Sequence, residues 1–96
     1  AMRLEASRQL VWRAAAAFDA GASESAKLAS MAKCFAGDMA VYVTGEALQI
    51  HGGYGYSRDL PIEKLYRDAK IFQIFEGTNE IQRTIIAKNL IAENKI

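Results

Sequence analysis

The run Ile74-Phe75-Glu76-Gly77-Thr78 sets a carboxylate between two bulky apolar residues and a glycine, at the mouth of a helix. Apolar neighbours strip water from the charged form and make such an acid a stronger base near neutral pH. The same placement suits a solvated acid stabilised by the positive end of the helix, so the local pattern leaves both readings of Glu76 open. A second candidate is Gln49-Ile50-His51-Gly52-Gly53, where a helix runs out into glycines. Glycine amides have no Cβ in the way of a phosphate or pyrophosphate, although a plain helix C-cap and turn has the same pattern. It is not the dinucleotide-binding glycine fingerprint, which needs a preceding strand and glycines that open a helix. Tyr54 and Tyr56 are placed either to stack on a ligand ring or to pack their loop against the helices.

The remaining reactive residue types are few. His51 is the only histidine and Cys34 the only cysteine, which rules out a two-histidine metal site, a cysteine-rich metal site and a disulfide within the chain. No metal is expected. Cys34 lies in an Ala- and Met-rich stretch beside Phe35 and reads as a buried structural thiol. Arg67-Asp68-Ala69-Lys70 reads as the solvated or ion-paired face of a short helix.

The elements that must position these residues are all helical. Met2 to Ala20 carries Leu4, Leu10, Val11, Ala14, Ala15 and Phe18 at helical spacing, and Gly21 stops it. Ser23 is the expected N-cap of a second helix running from Glu24 to Ile50, roughly 40 Å at 1.5 Å per residue. Its Ala29, Ala32, Ala36, Gly37 and Ala40 permit close approach of neighbours. Gly52 to Tyr56 is a loop, and Asp59 is expected to cap a short helix with Pro61 in its first turn and Ile62, Leu65, Tyr66 and Ala69 on its inner face. Ile71 to Phe75 is too short for an independent helix and reads as a buried connector. Thr78 caps a last helix, with Glu80 at its favoured end and Ile81, Ile85, the Lys88 stem and Ile91 or Ala92 as its packed face. The class is all-α, and the number and length of helices suit part of a four-helix bundle whose first helix is cut short.

At 96 residues, about half of them apolar, one ordered domain or a piece of one is expected. A formal charge of +1 with no Lys/Arg run argues against nucleic acid, and no apolar run reaches membrane-spanning length. The expectation is a soluble intracellular protein.

Three blocks in order, Gln-Ile-His-Gly-Gly-Tyr-Gly-Tyr, then Tyr-Arg-Asp-Ala-Lys, then Phe-Glu-Gly-Thr-Asn-Glu-Ile-Gln-Arg, together resemble the acyl-CoA dehydrogenase family. The resemblance runs from the first helix to the C-terminus. It implies an FAD-dependent enzyme that converts an acyl-CoA thioester to the trans-2-enoyl product, with Glu76 as the base for the α-proton. It further implies cofactor contacts at Gln49, Ile50, His51, Gly52 and Gly53, typically across a subunit interface, others at Thr78, Asn79 and Glu80, and a substrate contact at Gly77. Family members carry an N-terminal helical domain and a middle β-domain, so residues 1–96 correspond to part of the C-terminal bundle, with the other two domains absent. The chain alone is accordingly expected to lack stable FAD and turnover.

The resemblance also implies a homo-oligomer, an electron-transfer flavoprotein as acceptor, and a bacterial cytoplasmic or mitochondrial matrix setting. Glu76 points to the short-chain, medium-chain or short-branched-chain groups, because isovaleryl- and long-chain-type members carry a small residue there. Phe75 and His51 depart from the Tyr and the hydrophobic residue common in those groups. The rival reading is a helical association module without catalysis.

Overall fold

The computed structural model describes residues 1–95. Among them the order is α1 (Met2–Asp19), α2 (Ser25–His51), a 3-10 turn at Gly52–Tyr56, α3 (Ile62–Ala69), a 3-10 turn at Lys70–Gln73, and α4 (Asn79–Asn94). The described residues contain no strand, as expected. α2 is the spine, and α1, α3 and α4 each pack on it rather than on one another. The result is elongated, 52 × 23 × 19 Å, with a radius of gyration of 16.1 Å where a compact chain of this length would have about 12 Å.

α1 and α2 form an antiparallel hairpin closed at Gly21. The Ala22 amide donates to the Ala17 carbonyl at 2.9 Å and the Gly21 amide to that of Phe18 at 3.0 Å, with Gly21 at φ 66°, a conformation costly to a residue with a Cβ. This closure leads straight into α2, whose first flanking residue, Glu24, is already helical at φ −84° and ψ 0° and receives no side-chain cap. Ser23 therefore does not cap α2. A capping hydroxyl needs an extended residue before the first turn, and the tight closure leaves none.

The α1–α2 core consists of Leu10, Ala14 and Ala17 against Leu28, Met31 and Ala32. Full burial of a leucine such as Leu28 contributes about 1.5–3 kcal/mol, so this small cluster is the main apolar anchor of the hairpin. The expected stripe on α1 is only partly right. Ser7, Leu10, Ala14 and Ala17 face α2, while Leu4, Val11 and Phe18 are exposed. Small residues won the contact because they let the helices approach, and the larger ones lie on a different face. Arg3 also stacks on the Tyr42 ring, 3.5 Å from its centroid.

α4 differs more from expectation. Ile81 and Ile91 are exposed and Ile85 is half-buried, whereas Asn79 and Gln82 are buried. The face of α4 that meets α2 is polar near its start, and Lys27 Nζ lies 2.7 Å from the Glu93 carboxylate near its end. α3 begins after Pro61 with no side-chain cap, so Asp59 does not cap it; Asp59 instead donates its amide to the Ser57 hydroxyl at 3.3 Å. On α3, Arg67 pairs with Glu63 at 2.8 Å, and that hydrogen bond holds the Glu63 carboxyl below the usual carboxylate range.

Ile71 to Phe75 is likewise not a buried connector. Ile71, Phe72, Ile74 and Phe75 are all exposed, since the 3-10 turn lays one side on α2 and leaves the other open. The turn comes so close that a Cβ built on Gly37 would sit 2.7 Å from the Phe72 carbonyl oxygen. Gly37→Ala should therefore push the two apart. The expected cost is about 1–3 kcal/mol, visible as a lowered thermal unfolding midpoint; an unchanged midpoint would contradict the close approach.

Candidate active site

The turn carrying Glu76 joins the second 3-10 turn to α4. Thr78 caps α4 as expected, its hydroxyl accepting from the Ile81 amide at 3.3 Å, with Glu80 in the first turn. Glu76 has φ 55° and Gly77 φ 84°, so two successive residues are left-handed. Gly77 tolerates this freely, but at Glu76 the Cβ crowds the following carbonyl, a strain on the order of 1–2 kcal/mol. Such backbone persists only where its surroundings impose it.

The surroundings are a polar network from α2 and α4. Lys33 Nζ donates to the Gly77 carbonyl at 2.7 Å and to Asn79 Oδ1 at 2.8 Å. Gln82 Nε2 donates to the Glu76 carbonyl at 3.0 Å, with the Gly77 carbonyl at 3.5 Å. Asn79, 2% exposed, donates through Nδ2 to the Cys34 carbonyl at 3.1 Å and to Asp38 Oδ1 at 2.8 Å. Gln73 and Arg83 complete the shell of Asp38, at 2.9 Å each. Cys34 is buried as expected, and burial pushes its thiol pKa up; Sγ lies 3.8 Å from the Asn79 carbonyl oxygen.

On one side of the turn is an apolar hollow of about 290 Å³ lined by Ala36, Gly37, Ala40, Phe72 and Phe75, with Lys33 at its edge. Phe72 and Phe75 meet edge to face, with centroids 5.5 Å apart. On the other, a polar hollow of about 300 Å³ gathers Thr78, Asn79 and Glu80 with Asp38, Gln73 and Arg83. Glu76 itself is exposed, so the expected stripping of water from its carboxylate is not supplied by this chain; Phe72 and Phe75 pack on each other beside α2. The Asn79 side chain is turned inward, bonded to the Cys34 carbonyl and Asp38 of α2.

Gln49, Ile50, His51, Gly52 and Gly53 cluster at the far end of α2, all exposed. Gln49, Gly52 and Gly53 line a groove of about 330 Å³ with Leu48 and Tyr56. A Cβ built on Gly52 or Gly53 would meet nothing within 4 Å, so both peptides are open to an approaching group. His51 Nδ1 donates to the Ala47 carbonyl at 2.8 Å. From Lys33, at the Glu76 turn, to Gln49 is about 24 Å along the helix at 1.5 Å per residue. The structure thus brings the two groups of candidate residues to separate stations, not one site.

Sequence reasoning did not single out Lys33, Asp38, Gln73, Gln82 or Arg83. The available signal was Lys33 and Asp38 in the otherwise apolar middle of α2, and Gln82 three residues after Asn79 on the same face of α4. Among the described residues, no group of three His, Cys, Asp or Glu side chains could hold a metal ion, and no helix is long and apolar enough to cross a membrane.

In class the chain is an all-α domain whose longest helix ends in an open glycine groove and supports a strained, carboxylate-bearing turn. Residues 1–91 match the family model for the acyl-CoA dehydrogenase C-terminal domain, and the chain belongs to the acyl-CoA dehydrogenase family. It is 52% identical over 93 residues to a cyclohexane-1-carbonyl-CoA dehydrogenase of Geobacter metallireducens, covering 97% of this chain and 24% of that protein. Among solved structures it resembles butyryl-CoA dehydrogenase from Megasphaera elsdenii, with TM-score 0.88, 47% identity, and coverage of 94% of this chain and 23% of that one. It likewise resembles a chain in a structure of the electron transferring flavoprotein of Acidaminococcus fermentans, with TM-score 0.89, 48% identity, and coverage of 94% and 23%. The chain spans about a quarter of the length of these relatives.

Proposed function

We propose that this chain forms one wall of the active site of an FAD-dependent acyl-CoA dehydrogenase, with Glu76 as the base that takes the α-proton of the thioester. The observation that carries this is the Glu76 turn, an accessible carboxylate on backbone held out of its relaxed conformation, in a chain that belongs to that family. A carboxylate takes the proton, and the resulting negative charge on the thioester needs a donor nearby; the Gly77 peptide and the positive end of α4, which directly follow Glu76, would supply it. The bound flavin supplies the acceptor for the β-hydride.

The fit to FAD is partial. The glycine groove offers open peptides suited to a diphosphate, and Thr78 and Glu80 rim a polar hollow at a helix mouth, but each hollow admits only part of a dinucleotide. Family membership supports reading the two stations, about 24 Å apart along α2, as contacts to the flavins of neighbouring subunits in a homo-oligomer. The substrate is a short-chain, medium-chain or short-branched-chain acyl-CoA, and the electron acceptor an electron-transfer flavoprotein, the protein for which the Acidaminococcus fermentans structure is named.

The direct test is exchange of the acyl α-hydrogen in deuterated water. The intact enzyme should exchange it and its Glu76→Gln variant should not; exchange that persists in the variant assigns the base elsewhere. The 96-residue chain alone should purify colourless and without turnover. Yellow protein that reduces a dye with butyryl-CoA would overturn that part of the reading.

A further inference from the structure

The contacts around the Glu76 turn have a common target. Lys33, from α2, holds the Gly77 carbonyl at 2.7 Å, and Gln82, from α4, holds the Glu76 carbonyl at 3.0 Å. The carbonyls of both left-handed residues are gripped, by side chains from two different helices. Asn79 fixes the position of the Lys33 ammonium through its Oδ1, and is itself tied to α2. Capping α4 does not require this arrangement, because Thr78 already performs the cap. What the grip determines is the backbone direction at residue 76, and through it where the carboxylate points.

We infer that Lys33 and Gln82 are positioning residues for the reaction, clamping the Glu76 and Gly77 carbonyls so that the Glu76 carboxylate is held in line with the acyl α-carbon. The inference rests on Glu76 being the base. Neither residue touches the reacting atoms. Misplacing a reactive group by about 1 Å costs roughly a hundredfold in rate, whereas losing a surface contact alone leaves the rate of each folded site unchanged.

The test uses the intact flavoenzyme with Gln82→Ala, Lys33→Met and the conservative Lys33→Arg. Turnover of butyryl-CoA is normalised to bound flavin and resolved into kcat and KM. In Gln82→Ala and Lys33→Met, kcat should fall between about tenfold and a hundredfold with KM within about threefold, and α-hydrogen exchange should fall in parallel. Lys33→Arg keeps a cation donor in reach of the Gly77 carbonyl and should recover most of the loss. If Gln82→Ala does not hold flavin, Gln82→Met, close in volume but without the amide, takes its place. A kcat per flavin within about twofold of wild type in the Lys33→Met and Gln82 variants overturns the clamp, even if their melting points fall. Should Glu76→Gln be inactive while those variants run normally, only the clamp is lost; should Glu76→Gln itself keep turnover, the base assignment is lost.

Discussion

Glu76→Gln in the intact dehydrogenase is expected to lower kcat by a hundredfold or more while leaving flavin content and fold unchanged. The amide has nearly the shape of the carboxylate but cannot accept the proton, and general-base catalysis contributes about 10²–10⁴-fold. The fold should survive because nothing that holds this turn bonds to the Glu76 side chain: Gln82 and Lys33 grip peptide carbonyls, and Thr78 caps the helix. The side chain is exposed, so no buried partner is stranded by the change. Turnover measured per bound flavin decides the matter. A loss smaller than about tenfold would place the base on another residue.

Asn79→Ala should give the largest loss of stability of any single substitution in the polar network. Asn79 is nearly fully buried and makes three hydrogen bonds through its side chain, to the Cys34 carbonyl, Asp38 and Lys33. Removing it strands buried partners at about 1–3 kcal/mol and opens a small void between α2 and α4. Thermal unfolding should show a midpoint lowered by several degrees. Asn79→Asp, nearly isosteric, should fail to restore it, because an oxygen would replace the donor that faces the Cys34 carbonyl and the Asp38 carboxylate. Wild-type stability in Asn79→Asp would show that packing, not this hydrogen-bond pattern, fixes the start of α4.

Helix existence and most helix ends were legible in the residues. Gly21 and Thr78 act where their chemistry requires, the glycine closing α1 in left-handed backbone and the hydroxyl capping α4. Ser23 and Asp59 misled because a cap depends on the backbone before the helix, which residue type does not specify. The facing of α1 and α4 was harder still. A bundle helix can carry more than one packing face, and periodicity finds the most apolar one, whereas the contacts within this chain add Ser7 to the expected Leu10 and Ala14 on α1 and use Asn79 and Gln82 on α4. Glu76 stood out through its neighbours, and the role proposed for it came from resemblance. The residues that hold it did not stand out, since Lys33 and Asp38 reach the turn across 44 and 41 positions of sequence, through Gly77 and Asn79.

The grip on main-chain oxygens has an evolutionary corollary. A scaffold that fixes this turn through peptide carbonyls is indifferent to which side chain projects from position 76, and glycine there would relax the left-handed backbone rather than disturb it. The side chain at this corner can therefore change while the backbone contacts that hold it stay. Substitutions at position 76 should accordingly leave the junction between α2 and α4 in place.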